Sequence, residues 1–196
     1  MKRVGFEKAR ARLRDAFRAH EDLRSAADWL AFESAWTRLL TALNSVYTIL
    51  EQSARGNPKS EKWFATAKKQ RKADEALKYL HHARNVNEHG IVDIVMRAPG
   101  AIGIGSPGQS FYIEKLVIGP QGISEFRGQS LDGTPIQITH YPEQIVLVPV
   151  TDRGVDYNVP ATFLGDVLDD ATPLGLASKV LEFMVVLFSD AETLMV

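Results

Sequence analysis

The chain has 196 residues, 45% hydrophobic and 24% charged, with a net charge of −1. That is the make-up of an ordinary soluble globular protein with room for one generous core or two small ones. It contains no cysteine, which excludes disulfides, thiolate metal sites and cysteine nucleophiles and fits a reducing, cytoplasmic setting.

The charge is unevenly spread: residues 1–90 carry 18 Lys and Arg against 11 Asp and Glu, whereas residues 91–196 carry 5 against 13. A basic half attracts polyanions through phosphate contacts and counterion release. Oppositely charged halves can equally pack on one another or pair between subunits. No membrane span is expected, because the most apolar run, 183–188, is far shorter than the roughly 20 residues a span needs. The first residues lead into alternating charges rather than the apolar core of a signal peptide.

In chain order, residues 5–24 read as a helix with Phe6, Ala9, Leu13, Ala16, Phe17, His20 and Leu23 on one stripe. Lys8, Arg10, Arg12, Arg14 and Arg18 fill much of the remainder. The favoured reading of that charge run is a solvated face, and the alternative is an edge that meets nucleic acid. Ser25 and Asp28 form a capping box for a second helix, which runs to about residue 53 with a wide stripe from Trp29 and Trp36 to Leu50. After the turn residues at 55–60, Ser60 caps a third helix beginning at Glu61. Its stripe of Ala73, Ala76, Leu77, Leu80 and Ala83 is narrow, and Lys68, Lys69, Arg71 and Lys72 form a basic cluster on it.

Beyond Gly90 the texture changes to short apolar or alternating runs at 91–96, 110–118, 123–127, 135–140, 144–150 and 155–159, separated by turn residues. This predicts a small antiparallel sheet or barrel. Thr172 followed by Pro173 then starts a strongly apolar C-terminal helix that needs a partner. The expected class is therefore α+β. A bundle of three N-terminal helices over 1–90 is joined by a C-terminal segment, 165–196, with an antiparallel β insertion at 91–164.

Two motifs are set aside. Residues 103–108 match a dinucleotide fingerprint as a string, but strand-like sequence follows where the mechanism requires a helix N-terminus, so the run reads as a turn. His82, Asn85 and His89 share a helix face, yet seven residues span about 10 Å, too far for both imidazoles to hold one metal. No metal and no cofactor is expected.

The chemistry concentrates in 81–90, which holds three histidines, Arg84, Asn85, Asn87 and Glu88 before Gly90. A helix C-terminus accounts for much of this: cations favour the dipole, Gly90 supplies the left-handed stop, and Arg84 and Glu88 form an i, i+4 pair. Alternatively the segment is a site. Arg84 and His89 lie about 140° apart on a straight helix and converge only if the helix ends between them or a second copy approaches across a twofold axis.

Residues 84–89 carry an arginine, a polar residue, three variable positions and a histidine, and with Leu77, Tyr79, Leu80 and His82 before them the segment resembles the motif of HEPN-domain ribonucleases. The resemblance covers 1–90 and extends to the C-terminal helix, but not to the β region. It implies a metal-independent endoribonuclease, a toxin or defence effector, with a composite site at a homodimer interface. In that site His89 would transfer protons, Arg84 would stabilise transition-state charge and Asn85 would orient His89. Lys68, Lys69, Arg71 and Lys72 would guide the RNA backbone, and an antitoxin or regulatory protein would be a further partner. Some members of the superfamily are inactive binding or scaffolding modules, which makes such a module the alternative. A more remote third reading is a ligand-binding protein with its pocket between sheet and bundle.

Overall fold

The computed structural model describes residues 1–89, 93–119 and 122–195, with the side chain of His89 also outside the described residues. The chain is α+β, with five helices and small two-stranded antiparallel sheets among the described residues. It divides into two compact units, Met1–Met96 together with Val146–Val196, and Arg97–Ile145.

The first unit holds all the helices: α1 (Arg3–Arg24), α2 (Trp29–Ala54), α3 (Pro58–Ala73), α4 (Glu75–His89) and α5 (Pro173–Glu192). α2 runs through its core, with Trp36, Leu39, Leu40, Val46 and Leu50 fully buried. α5 closes the unit against α1, where the Phe6 and Phe188 rings sit 5.5 Å apart and the N-terminal amine of Met1 donates to the carbonyl of Leu194 at 2.5 Å. As expected, Thr172 caps α5, its hydroxyl accepting from the Gly175 amide, with Pro173 in the first turn.

Two caps fall elsewhere than the sequence reading placed them. Asp28, not Ser25, caps α2 by accepting from the Ala31 amide, and Ser25 ends α1 instead. Asn57, not Ser60, caps α3, its side chain accepting from the Ser60 amide. In both cases the residue directly before the first helical turn has the extended backbone that lets its side chain fold back onto the freed amides.

The expected third helix is two helices. The break falls at Asp74, whose extended backbone ends α3 and whose carboxylate accepts from the Leu77 amide to start α4. Among the described residues four helices, not three, therefore precede the β region. The break turns α4 so that Ala76, Leu77, Tyr79, Leu80, Ala83 and Val86 are buried, a wider face than the small-residue stripe suggested.

The chain that returns to this unit is tied down along α4. Glu75 accepts from the amides of Ala161 and Thr162 and from the Thr162 hydroxyl, and Asp74 accepts from the Leu164 amide. Tyr79 donates its hydroxyl to the carbonyl of Val148 at 2.8 Å. The hairpin β7 (Val150–Asp152) and β8 (Val155–Tyr157) turns through Arg153 and Gly154, both at positive φ. That two-residue turn matches the twist of its strands and fixes Asp152 and Tyr157. β9 (Thr162–Phe163) and β10 (Asp166–Val167) complete this unit.

Of the segment read as 91–164, only Arg97–Ile145 forms the separate β unit, and the strands after Val146 belong with the helices. Of the expected strand at 91–96, residues 91–92 lie outside the described residues, 93–94 are not strand, and only 95–96 fall in β1 (Val95–Ala98), which pairs with β6 (Gln144–Leu147). The run 144–150 is two strands rather than one, β6 and β7. Within the β unit, β2 (Ala101–Ile104), which the sequence reading omitted, pairs with β5 (Ile138–Tyr141). The glycine-rich run at 103–108 enters a turn, with Gly105 and Gly108 at positive φ, and leads into β3 (Phe111–Gly119) rather than into a helix. β3 pairs with β4 (Gly122–Ser130), and Tyr112, Leu116 and Ile118 of β3 stay exposed.

Candidate functional site

α3 and α4 meet at the Asp74 break, and residues of both, Arg71, Lys72, Lys78, His81 and His82, line a cleft of about 260 Å³. Every lining side chain is a cation or an imidazole, and among the described residues no carboxylate takes part in the lining. The spacing explains the convergence: Lys78 and His82 are four residues apart and so share a face of α4, while Arg71 and Lys72 occupy the last turn of α3.

Each cation is held differently. The Arg71 guanidinium lies 4.4 Å from the centre of the Tyr47 ring, a cation–π contact, and the Glu51 carboxylate also acts on its charge. Burial pulls its pKa below the usual arginine value, which still leaves it charged. Burial also drives the His81 imidazole down to about 4, with the Arg71 and His82 charges adding to the effect. His81 is therefore neutral at neutral pH, and its Nδ1 is buried without a hydrogen-bond partner among the described residues.

His82 is the most constrained residue of the group. Its Nδ1 is 2.7 Å from Oδ2 of Asp152, and its ring stacks on Tyr157 with centroids 3.7 Å apart and planes 11° from parallel. The Asn85 amide donates to the same Asp152 oxygen at 2.9 Å. Those two hydrogen bonds, that of Asn85 first, hold the Asp152 carboxyl below the usual carboxylate range. Asp152 is thus an anion joining α4 to the β7–β8 hairpin.

The Arg84 motif connects to this group. The Asn85 carbonyl oxygen accepts a long hydrogen bond of 3.4 Å from Nη1 of Arg84, and Nη2 of Arg84 is ion-paired with Glu88 one turn on. Nε of Arg84 is buried without a partner among the described residues. A continuous polar chain therefore runs from the cleft through His82, Asp152, Asn85 and Arg84 to Glu88. The Asn85 side chain is engaged by Asp152 and Arg84, and the third residue of the motif, His89, has its side chain outside the described residues.

The sequence-derived backbone-guiding residues divide. Arg71 and Lys72 line the cleft, Lys68 is ion-paired with Glu51 at 2.9 Å, and Lys69 is exposed on α3. Sequence reasoning had His81 and His82 in view without giving them a role, and it missed Lys78, Asp152 and Tyr157. The i, i+4 pair of Lys78 and His82 was a readable signal. Asp152 had none, because it lies 70 residues from His82 along the chain. Among the described residues no three His, Asp or Glu side chains group as a metal site.

Comparisons with protein-family models, with curated proteins and with solved structures give no match to this chain.

Proposed function

We propose that this chain is a HEPN-like RNA-binding module whose α3–α4 cleft receives the phosphate backbone. The observation that carries this reading is the makeup of the cleft: Arg71, Lys72, Lys78, His81 and His82 converge with no carboxylate among them. Such a surface attracts phosphates and releases counterions, the dominant source of nucleic-acid affinity. The test is fluorescence anisotropy of the full chain with a labelled single-stranded RNA across a salt titration. Affinity should fall as salt rises, and Lys72→Glu with Lys78→Glu should flatten that dependence; binding that ignores both salt and the substitutions would refute the reading.

A second reading is a metal-independent endoribonuclease of HEPN type, acting as a homodimer and kept in check by an antitoxin or regulatory protein. It is favoured by one observation, the polar chain that links Arg84 and Asn85 to the cleft. It predicts RNA cleavage in the presence of EDTA that Arg84→Ala and His89→Ala both abolish while the mass in solution remains that of a dimer.

A further inference from the structure

Strand β3 is exposed at every position from Tyr112 to Ile118, on both of its faces, whereas most side chains of β4 are half-buried. Five of those seven residues are large and apolar, and Tyr112 and Ile118 each keep 66% of their exposure. Among the described residues β3 pairs with β4 alone, so its other edge is open. An open edge presents a row of backbone donors and acceptors that a further strand can use.

The register with β4 sorts the exposed side chains. Ile113 is opposite Gly128 and Leu116 opposite Phe126, two β4 positions of one face. Tyr112, Lys115 and Val117 are opposite Gln129, Arg127 and Glu125 on the other face. Ile113 and Leu116, three residues apart, share a face because the register steps over Glu114, the extra residue of a bulge. Glu114 thus has no opposite residue on β4, and it has no ion pair among the described residues. Beside it, Lys115 meets Glu125 at 2.6 Å and Arg127 meets the same carboxylate at 3.3 Å, two cations on one anion. The middle of β3 therefore sets an unmatched carboxylate next to a surplus positive charge.

We propose that the open edge of β3 pairs antiparallel with β3 of a second copy of this chain, about a twofold axis between Glu114 and Lys115. In that register Glu114 lies opposite Lys115 of the second copy, Ile113 opposite its Leu116, Tyr112 opposite its Val117 and Phe111 opposite its Ile118. The axis repeats every pair, as in any isologous interface. An axis perpendicular to the sheet keeps each face on its own side, so opposite residues must come from the same face. The bulge satisfies this condition, since it puts Ile113 with Leu116 on one face and Tyr112 with Val117 on the other. Aromatic residues opposite β-branched ones, and opposite charges across the strands, are the pairs that stabilise antiparallel strands. The run from Phe111 to Ile118 is in this way its own complement in charge and in face, which selects a second copy over an unrelated strand. The interface lies within the β unit and depends neither on RNA binding nor on the Arg84 motif.

The experiment measures the mass of the full chain in solution by light scattering over a dilution series, with circular dichroism as the check on folding. The wild type should reach twice the 21.8 kDa of one chain. Glu114→Lys and Lys115→Glu each set like charges opposite one another twice, and each should weaken the dimer by about tenfold or more. The double variant Glu114→Lys with Lys115→Glu restores opposite signs and should return the dissociation constant to within about threefold of the wild type. An equimolar mixture of the two single variants should also recover the dimer mass, because every cross-strand charge pair in a mixed dimer is of opposite sign. A side chain with only a structural role within one chain would not give that recovery. A wild type that stays monomeric, a dimer that neither single substitution weakens, or a mixture that behaves as its separate components would overturn the proposal.

Discussion

Helix α1 and the α3–α4 cleft are both rich in cations, and they use them in opposite ways. On α1, Arg12 and Arg18 both meet Asp15, Arg24 meets Glu21, and Arg10 meets Glu7 and Glu192. These pairs are exposed and intersperse both signs, so they solubilise a face without presenting a field of one sign. In the cleft cations and imidazoles converge with no carboxylate in the lining itself; Asp152, the partner of His82, lies outside that lining, and Arg71 packs on the Tyr47 ring. On the proposed reading, what sets the cleft apart from the solvated face of α1 is the disposition of the counter-charges, not the number of lysines and arginines.

Charge reversal in the cleft should remove this contrast most strongly. Replacing Lys72 and Lys78 by Glu should weaken single-stranded RNA binding by about 10- to 100-fold near 0.1 M salt. The same pair of substitutions should lower the salt slope by about two, because each lysine accounts for one neutralised phosphate. Next, Asp152→Ala should cost about 1–2 kcal/mol of unfolding free energy, since it strips partners from both His82 and Asn85, and thermal or urea unfolding reads this directly.

Acid titration adds a subtler difference. The folded pKa of His81 is depressed from 6.5 to about 4, so the unfolded chain takes up that proton first. Its contribution is present above pH 6.5 and is lost as the pH falls towards 4, and His81→Leu should flatten the melting-temperature profile in that window. Asp152 is also depressed, from 3.8, so its stabilisation is present above that value and is lost only at lower pH. The two losses should therefore form separate limbs of one profile. The smallest effect belongs to α1: Arg12→Gln with Arg18→Gln should change RNA affinity by less than about twofold and stability by less than about 0.5 kcal/mol. A larger effect on affinity there would erase the contrast between the two regions.

The helices were readable because burial writes a period into the sequence, as in the stripe from Phe32 through Trp36 to Leu50 on α2 and the Thr172 and Pro173 start of α5. The break at Asp74 was not, because the basic cluster before it and the small residues after it continue a helical pattern in register. Only the capping carboxylate, recognised as such, would have divided α3 from α4. Strand β2 was passed over and β6 and β7 were read as one run because each has four residues or fewer, whereas the run at 155–159 contains β8. The candidate site was half legible. Arg71 and Lys72 stand in an obvious cluster, and His81 and His82 sit in the segment with the densest chemistry. Their partners Asp152 and Tyr157 come from a hairpin that only the folded chain brings to α4.

Whether the α3–α4 cleft or α1 meets RNA can be decided by photocrosslinking a 4-thiouridine RNA to the full chain and identifying the attached peptides by mass spectrometry. Adducts should fall within residues 68–82 and disappear when Lys72 and Lys78 are replaced by Glu. Adducts confined to residues 3–24 or to the β unit, unaffected by those substitutions, would mean that the cleft is not where RNA binds.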